Sequence, residues 1–149
     1  MVTQVILKMY KMRGGDFMRY VIVLMALLTA LPSQAVSLRD TRLENTLRDV
    51  AVQSSKDTPR KLNEFIVDEG FTANGNELIN HLSVEPQYAT RMQSDPLVVR
   101  TQLQSSVCAD QRFRRLLDMG ATLTYHFVLT ESQQPILTHS FVADHCLAM

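Results

Sequence analysis

An apolar run from Val21 to Leu31 limits how much of this 149-residue chain is left to fold. The basic Met18-Arg19-Tyr20 precedes it and Pro32-Ser33-Gln34-Ala35 follows it. A basic start, a short apolar stretch and small residues at Ser33 and Ala35 make up a secretory signal peptide, with cleavage expected after Ala35. A membrane-spanning helix needs about 20 apolar residues. The run holds 11 positions, so residues 18–35 are read as a leader and not as a retained anchor. Residues 1–17 are read as an extension upstream of the true start at Met18. No cysteine stands at the junction, which argues against a lipid anchor. Taking the first 35 residues from 149 leaves 114, over residues 36–149. That is one exported domain with a single modest core.

Removing the leader changes the charge. The whole chain balances 15 basic against 15 acidic residues, whereas residues 36–149 hold 11 Lys and Arg against 14 Asp and Glu, a net charge of −3. Affinity for phosphate rests on clustered positive charge. Nucleic acid is therefore excluded as a partner. Both cysteines, Cys108 and Cys146, fall in the exported part. An even count in an oxidising compartment reads as a disulfide. A thiolate nucleophile or redox centre is the rival reading, because His145 adjoins Cys146. It lacks a C-x-x-C motif, and neighbours along a strand point to opposite faces.

The local patterns predict an α+β domain. Ser37 is placed to cap a helix in which Leu43, Leu47, Val50 and Ala51 recur at helical spacing up to about Gln53. Asn74-Gly75 is a strong hairpin signal. A turn centred there would face Phe71 to Leu78, Val67 to Leu82, Phe65 to Val84 and Asp68 to His81, with a bulge near Glu69 and Asn80. Pro86 ends the second strand. Asp95-Pro96 opens a helix whose buried side is expected at Leu97, Val98, Leu103 and Val107. Asp110 caps a shorter helix that Gly120 stops. Alternation over Leu123, Tyr125, Phe127 and Leu129 predicts a strand that returns through Glu131–Gln134 and runs on from Ile136. The expected architecture is an antiparallel sheet of two β-hairpins with helices on one face, in the order α-β-β-α-α-β-β with one disulfide.

Three constellations are candidates for chemistry. A turn centred on Ser132-Gln133 sets His126 opposite His139, close enough for two imidazoles to share a metal ion. Asp68 opposite His81 is half of a general acid–base arrangement, but no G-x-S-x-G elbow or other nucleophile accompanies it. Arg112, Arg114 and Arg115 form a basic cluster that would suit an acidic partner. The edges of the two hairpins offer a partner strand a place to pair.

Cys108, Phe113, Arg114, Leu116-Leu117, Gly120, Leu123, Tyr125, Phe127 and Cys146 occur in a pattern that resembles small exported bacterial proteins, the putative quorum-sensing-regulated virulence factors. The resemblance covers about 40 residues well, and the preceding hairpin and helix fit in order. It implies a Gram-negative periplasm, a helix-and-sheet fold and a Cys108–Cys146 bond. It implies no catalytic residues. The chain departs from the pattern at Gln133-Gln134, where a glycine turn is expected, and in the extra tail Leu147-Ala148-Met149. The leading expectation is a periplasmic accessory or binding protein that acts by protein–protein contact in the envelope, without a cofactor. The alternatives are a weak enzyme on envelope material through Asp68 and His81, or a metal or small-molecule binder through His126 and His139.

Overall fold

Leu43, Leu47 and Ala51 recur every four residues and all are buried, which fixes the inner face of the first helix, α1 (Gln34–Ser54). The computed structural model describes residues 34–147. The extension over 1–17 and the apolar run Val21–Leu31 lie outside the described residues. The helix already runs from Gln34, so Ser37 lies inside it and not at its start. No helix among the described residues is long and apolar enough to cross a membrane. A two-residue strand, β1 (Arg60–Lys61), pairs antiparallel with β2 (Ile66–Asn74).

The turn from β2 into β3 (Glu77–Val84) sets the register of the first hairpin. Gly75 has φ +57° while Asn76 stays at negative φ, so the turn residues are Gly75-Asn76. Glycine in the first central position is the type II′ arrangement, one residue on from the expected Asn74-Gly75 turn. The bulge does fall at Glu69, between Asp68 and Gly70. Together these pair Phe71 with Asn80, Gly70 with His81, Asp68 with Leu82 and Ile66 with Val84. Asp68 and His81 are thus not partners, which corrects the expected pairing.

Between β3 and the next long strand the chain makes three helices where two were expected. Pro86 does end β3, but it also occupies the first turn of α2 (Pro86–Ser94), where its missing N–H costs nothing. Asp95 caps α3 (Pro96–Ala109) by accepting from Val98 N at 3.2 Å. The inner face of α3 follows Val99, Leu103 and Val107, whereas Leu97 is 72% exposed and Val98 is also exposed. Asp110 caps α4 (Gln111–Asp118) as expected, with its carboxylate accepting from Arg112 N and Phe113 N. Gly120, at φ +102°, ends it. Its N–H reaches Leu117 O at 2.9 Å and that of Ala121 reaches Leu116 O at 3.0 Å, a Schellman closure.

This helical crossover returns the chain to the end where β3 began, so β4 (Thr122–Leu129) lies parallel to β3. The sheet is therefore mixed, in the order β1-β2-β3-β4-β5, with β5 (Pro135–Phe141) antiparallel to β4. The expectation of a purely antiparallel sheet fails at that one junction. Residues of α1, α3 and α4 pack with Leu78, Leu123 and Phe141, while Ala89, Met92, Val99 and Leu103 pack with Leu82, Val84 and Phe127. The four helices among the described residues thus cover one face of the sheet, as expected. A 3₁₀ turn (Ala143–Cys146) follows β5 and delivers Cys146 to Cys108, with a Cα separation of 5.4 Å.

In the last hairpin Leu129 N donates to Gln134 O, and Gln133 holds φ +56°. Glycine was expected here, and a left-handed conformation costs other residues about 1–2 kcal/mol. Gln133→Gly should raise the urea midpoint, corresponding to a gain in unfolding free energy of about 0.5–1 kcal/mol after the extra flexibility of the unfolded chain is offset. A lower midpoint would mean that the Gln133 side-chain bond to Thr130 O matters more than the backbone angle.

Candidate functional site

The cap of α4 shapes the first candidate surface. Asp110 Oδ2 also meets Arg112 Nη2 at 3.0 Å, and this bond holds the Asp110 carboxyl below its ordinary range while raising the guanidinium. With Arg112 anchored, α4 and the C-terminal part of α1 enclose a groove of about 400 Å³. Its floor is apolar, formed by Val50, Phe113, Leu116 and Met119, and its rim carries Gln53, Ser54, Arg112 and Arg115. Arg115 has no carboxylate partner among the described residues. Arg114 turns elsewhere, with Nη1 3.5 Å from Cys146 O and Nε 3.6 Å from Asp118. The structure therefore divides the expected basic cluster. Two arginines rim the groove, and the third braces the disulfide end of the chain.

The sheet face away from the helices is polar. Parallel register puts His81 beside His126 with ring centroids 6.1 Å apart, edge to face. His81 Nε2 lies 2.8 Å from Thr72 Oγ1, and His126 Nδ1 lies 3.0 Å from Thr138 Oγ1. Ser83 and Thr124 of the same face hydrogen-bond to Glu69 and Glu77, respectively. Both histidines border a hollow of about 440 Å³ with Glu69, Thr72, Val128 and Gln133.

The two histidine pairings expected from the sequence do not form. His126 lies opposite Thr138, and His139 lies opposite Tyr125 on the helix-covered face. The cause is a net one-residue shift in the last hairpin: the turn pairs Val128 with Pro135, a register irregularity then pairs Phe127 with Leu137, and such a shift sends every side chain to the other face. Asp68 is likewise removed from His81. It is 2% exposed, with Oδ2 2.7 Å from Arg60 Nη2 and Oδ1 accepting from Gly70 N at 3.0 Å. Both carboxylate oxygens hold the bulge in place, and no acid–base pair remains there. His145 is structural as well, since its Nδ1 accepts from Val142 N at 3.0 Å beside the bonded Cys146.

Burial lowers the pKa of His81, assisted by the neighbouring His126, and burial lowers that of His139, assisted by Arg100. A histidine that titrates below its unfolded value of about 6.5 holds fewer protons when folded. Its contribution is complete above pH 6.5 and is lost as pH falls from there through the folded pKa. The depressed Asp110 acts only at much lower pH, below its ordinary 3.8. The melting temperature should therefore fall between pH 7.5 and pH 5.0, and His81→Gln with His139→Gln should flatten that fall. An equal slope in the double variant would exclude this origin.

One sheet edge is already occupied. β1 covers Val67 and Asp68, and Ser55 Oγ accepts from Phe71 N at 2.8 Å and donates to Phe71 O at 3.3 Å. Of the two edges expected to accept a strand, that of β2 is covered by β1, and that of β5 has no strand paired to it among the described residues.

The family model for the putative quorum-sensing-regulated virulence factor matches residues 36–147. The chain belongs to this family. Among solved structures it is similar to a putative secreted protein from Pseudomonas aeruginosa, with 49% sequence identity, coverage of 73% of this chain and 96% of that chain, and a TM-score of 0.72. Two more distant structures share the fold. One is a pilotin from the type 2 secretion system of Vibrio vulnificus, at 17% identity, 74% and 96% coverage and TM-score 0.63. The other is a type II secretion system pilotin from Vibrio cholerae, at 19% identity, 75% and 99% coverage and TM-score 0.57. No curated protein matches the chain. The family expected from the Cys108-to-Cys146 pattern is thus the family found.

Sequence reasoning missed two features of these surfaces. The His81–His126 neighbourhood follows from the parallel junction, which no local signal announces. At the groove, Val50 belongs to the apolar stripe of α1 and Met119 directly follows α4, and spacing alone does not show that they line a surface.

Proposed function

We propose that this family member is a periplasmic accessory protein that binds an envelope protein through the groove between α1 and α4. The observation that carries this reading is an apolar floor of Val50, Phe113, Leu116 and Met119 under a rim on which Arg115 has no carboxylate partner among the described residues. Such a surface suits a segment with an apolar stripe and flanking carboxylates. The secreted relative and the fold shared with two pilotins support work at a secretion or pilus assembly, and the partner is a component of such an assembly. Export with cleavage after Ala35 accords with a family match that begins at residue 36.

The test is site-directed photo-cross-linking in living cells. A photoreactive residue at Gln53, on the rim, should give one discrete adduct with an envelope protein, mapped to an acidic segment. The same residue at Glu131, in the β4–β5 loop, should give none. Equal labelling from both positions, or none from either, would overturn the groove as the binding surface.

A further inference from the structure

The polar face of the sheet carries a pair of side chains that the proposed groove does not use. We propose that His81 and His126 form a binding site for a divalent transition-metal ion of the zinc or copper class, with water completing the coordination. Three features carry this inference.

The first is spacing. The two residues are register partners on adjacent parallel strands, where neighbouring chains lie about 4.8 Å apart. An ion bound at the usual metal–nitrogen distance of about 2.0–2.1 Å holds two imidazole centroids roughly 5–6 Å apart, depending on the ligand angle. The observed 6.1 Å lies just beyond that range, with the ring planes 82° apart, so a shared ion draws the two rings slightly together.

The second is the way each ring is anchored. Histidine ligands hold one nitrogen on a hydrogen-bond acceptor and turn the other to the metal. When Thr72 Oγ1 accepts from His81 Nε2–H, the lone pair falls on His81 Nδ1. When Thr138 Oγ1 accepts from His126 Nδ1–H, it falls on His126 Nε2. Neither of these second nitrogens has a hydrogen-bond partner among the described residues. Both strands' neighbours thus supply the orienting partner, one from β2 and one from β5.

The third is access. The rings border an open hollow of about 440 Å³, with room for an ion and its waters. Imidazole ligands select zinc and copper over calcium or magnesium, which prefer oxygen. No group of three or more His, Cys, Asp or Glu side chains is arranged to hold a metal among the described residues. Glu69 lines the hollow but is bonded to Ser83, so the protein contributes two ligands and the expected affinity is modest.

The experiment is calorimetric titration of untagged residues 36–149 with ZnCl₂ at pH 7.5, alongside NMR of the histidine ring protons. One ion per chain should bind, with a Kd tighter than about 1 mM. The ring signals of His81 and His126 should shift, and those of His139 and His145 should not. His81→Gln and His126→Gln should each weaken binding at least about tenfold, while His139→Gln should leave it within about twofold. Melting temperature checks that each variant is folded, and the ring shifts of the unaltered protein test the assignment without any variant. Binding weaker than about 1 mM, or shifts confined to other histidines, would overturn the site. The groove is read out by cross-linking and not by metal, so either proposal can fail alone.

Discussion

Cys108→Ser is expected to lower the unfolding free energy by about 4 kcal/mol in the chain-entropy model, because the bond closes a loop with a sequence separation of 38. A domain of this size is stabilised by only about 6–17 kcal/mol in total. The bond also holds the last turn of α3 against the 3₁₀ turn that follows β5, next to Val107 and Phe141, both 0% exposed. Losing the link frees the chain beyond Phe141 and puts a hydroxyl among apolar neighbours, so the packing loss adds to the entropic one. Urea denaturation of the oxidised protein and the variant measures the difference, and dithiothreitol should reproduce most of it without mutation. A difference under about 1 kcal/mol would mean that the surrounding cluster holds the C-terminal segment without the bond.

Features set by neighbouring residues were legible in the sequence. Asp95 and Asp110 cap helices because their carboxylates need only reach the first turn, and Gly120 ends α4 because a positive φ is required there. The cysteine pair and the buried stripe Leu43, Leu47 and Ala51 were legible for similar reasons. Register was not. Moving one turn from Asn74-Gly75 to Gly75-Asn76 took Asp68 away from His81, and one residue in the last hairpin sent His139 under the helices. The parallel β3–β4 junction depends on where three helices return the chain, which is a property of packing. Pro86 shows the same limit on a smaller scale. It stops a strand and starts a helix, and the sequence displayed only the first role. Candidate pairs built on register were therefore wrong in partner, although His81 and His126 are neighbours that border one hollow.

Arg115→Glu should reduce the photo-cross-linked adduct from Gln53 about tenfold or more, and combining it with Val50→Asp should remove the adduct. Arg115 is exposed and pairs with no described carboxylate, so reversing its charge breaks no internal contact. Its effect on folding should stay within about 0.5 kcal/mol. Arg112 is the poorer choice, since it is bonded to the carboxylate that caps α4. The matched control is Arg91→Glu, an exposed residue in the last turn of α2, which changes net charge by the same amount. If the groove is the docking surface, Arg91→Glu leaves the adduct within about twofold, because a distant charge acts only through screened long-range attraction. Equal losses from Arg91→Glu and Arg115→Glu would instead show that overall charge governs the encounter. An unchanged adduct in the Arg115→Glu Val50→Asp variant would remove the groove from consideration and leave the outer edge of β5 as the next surface to probe.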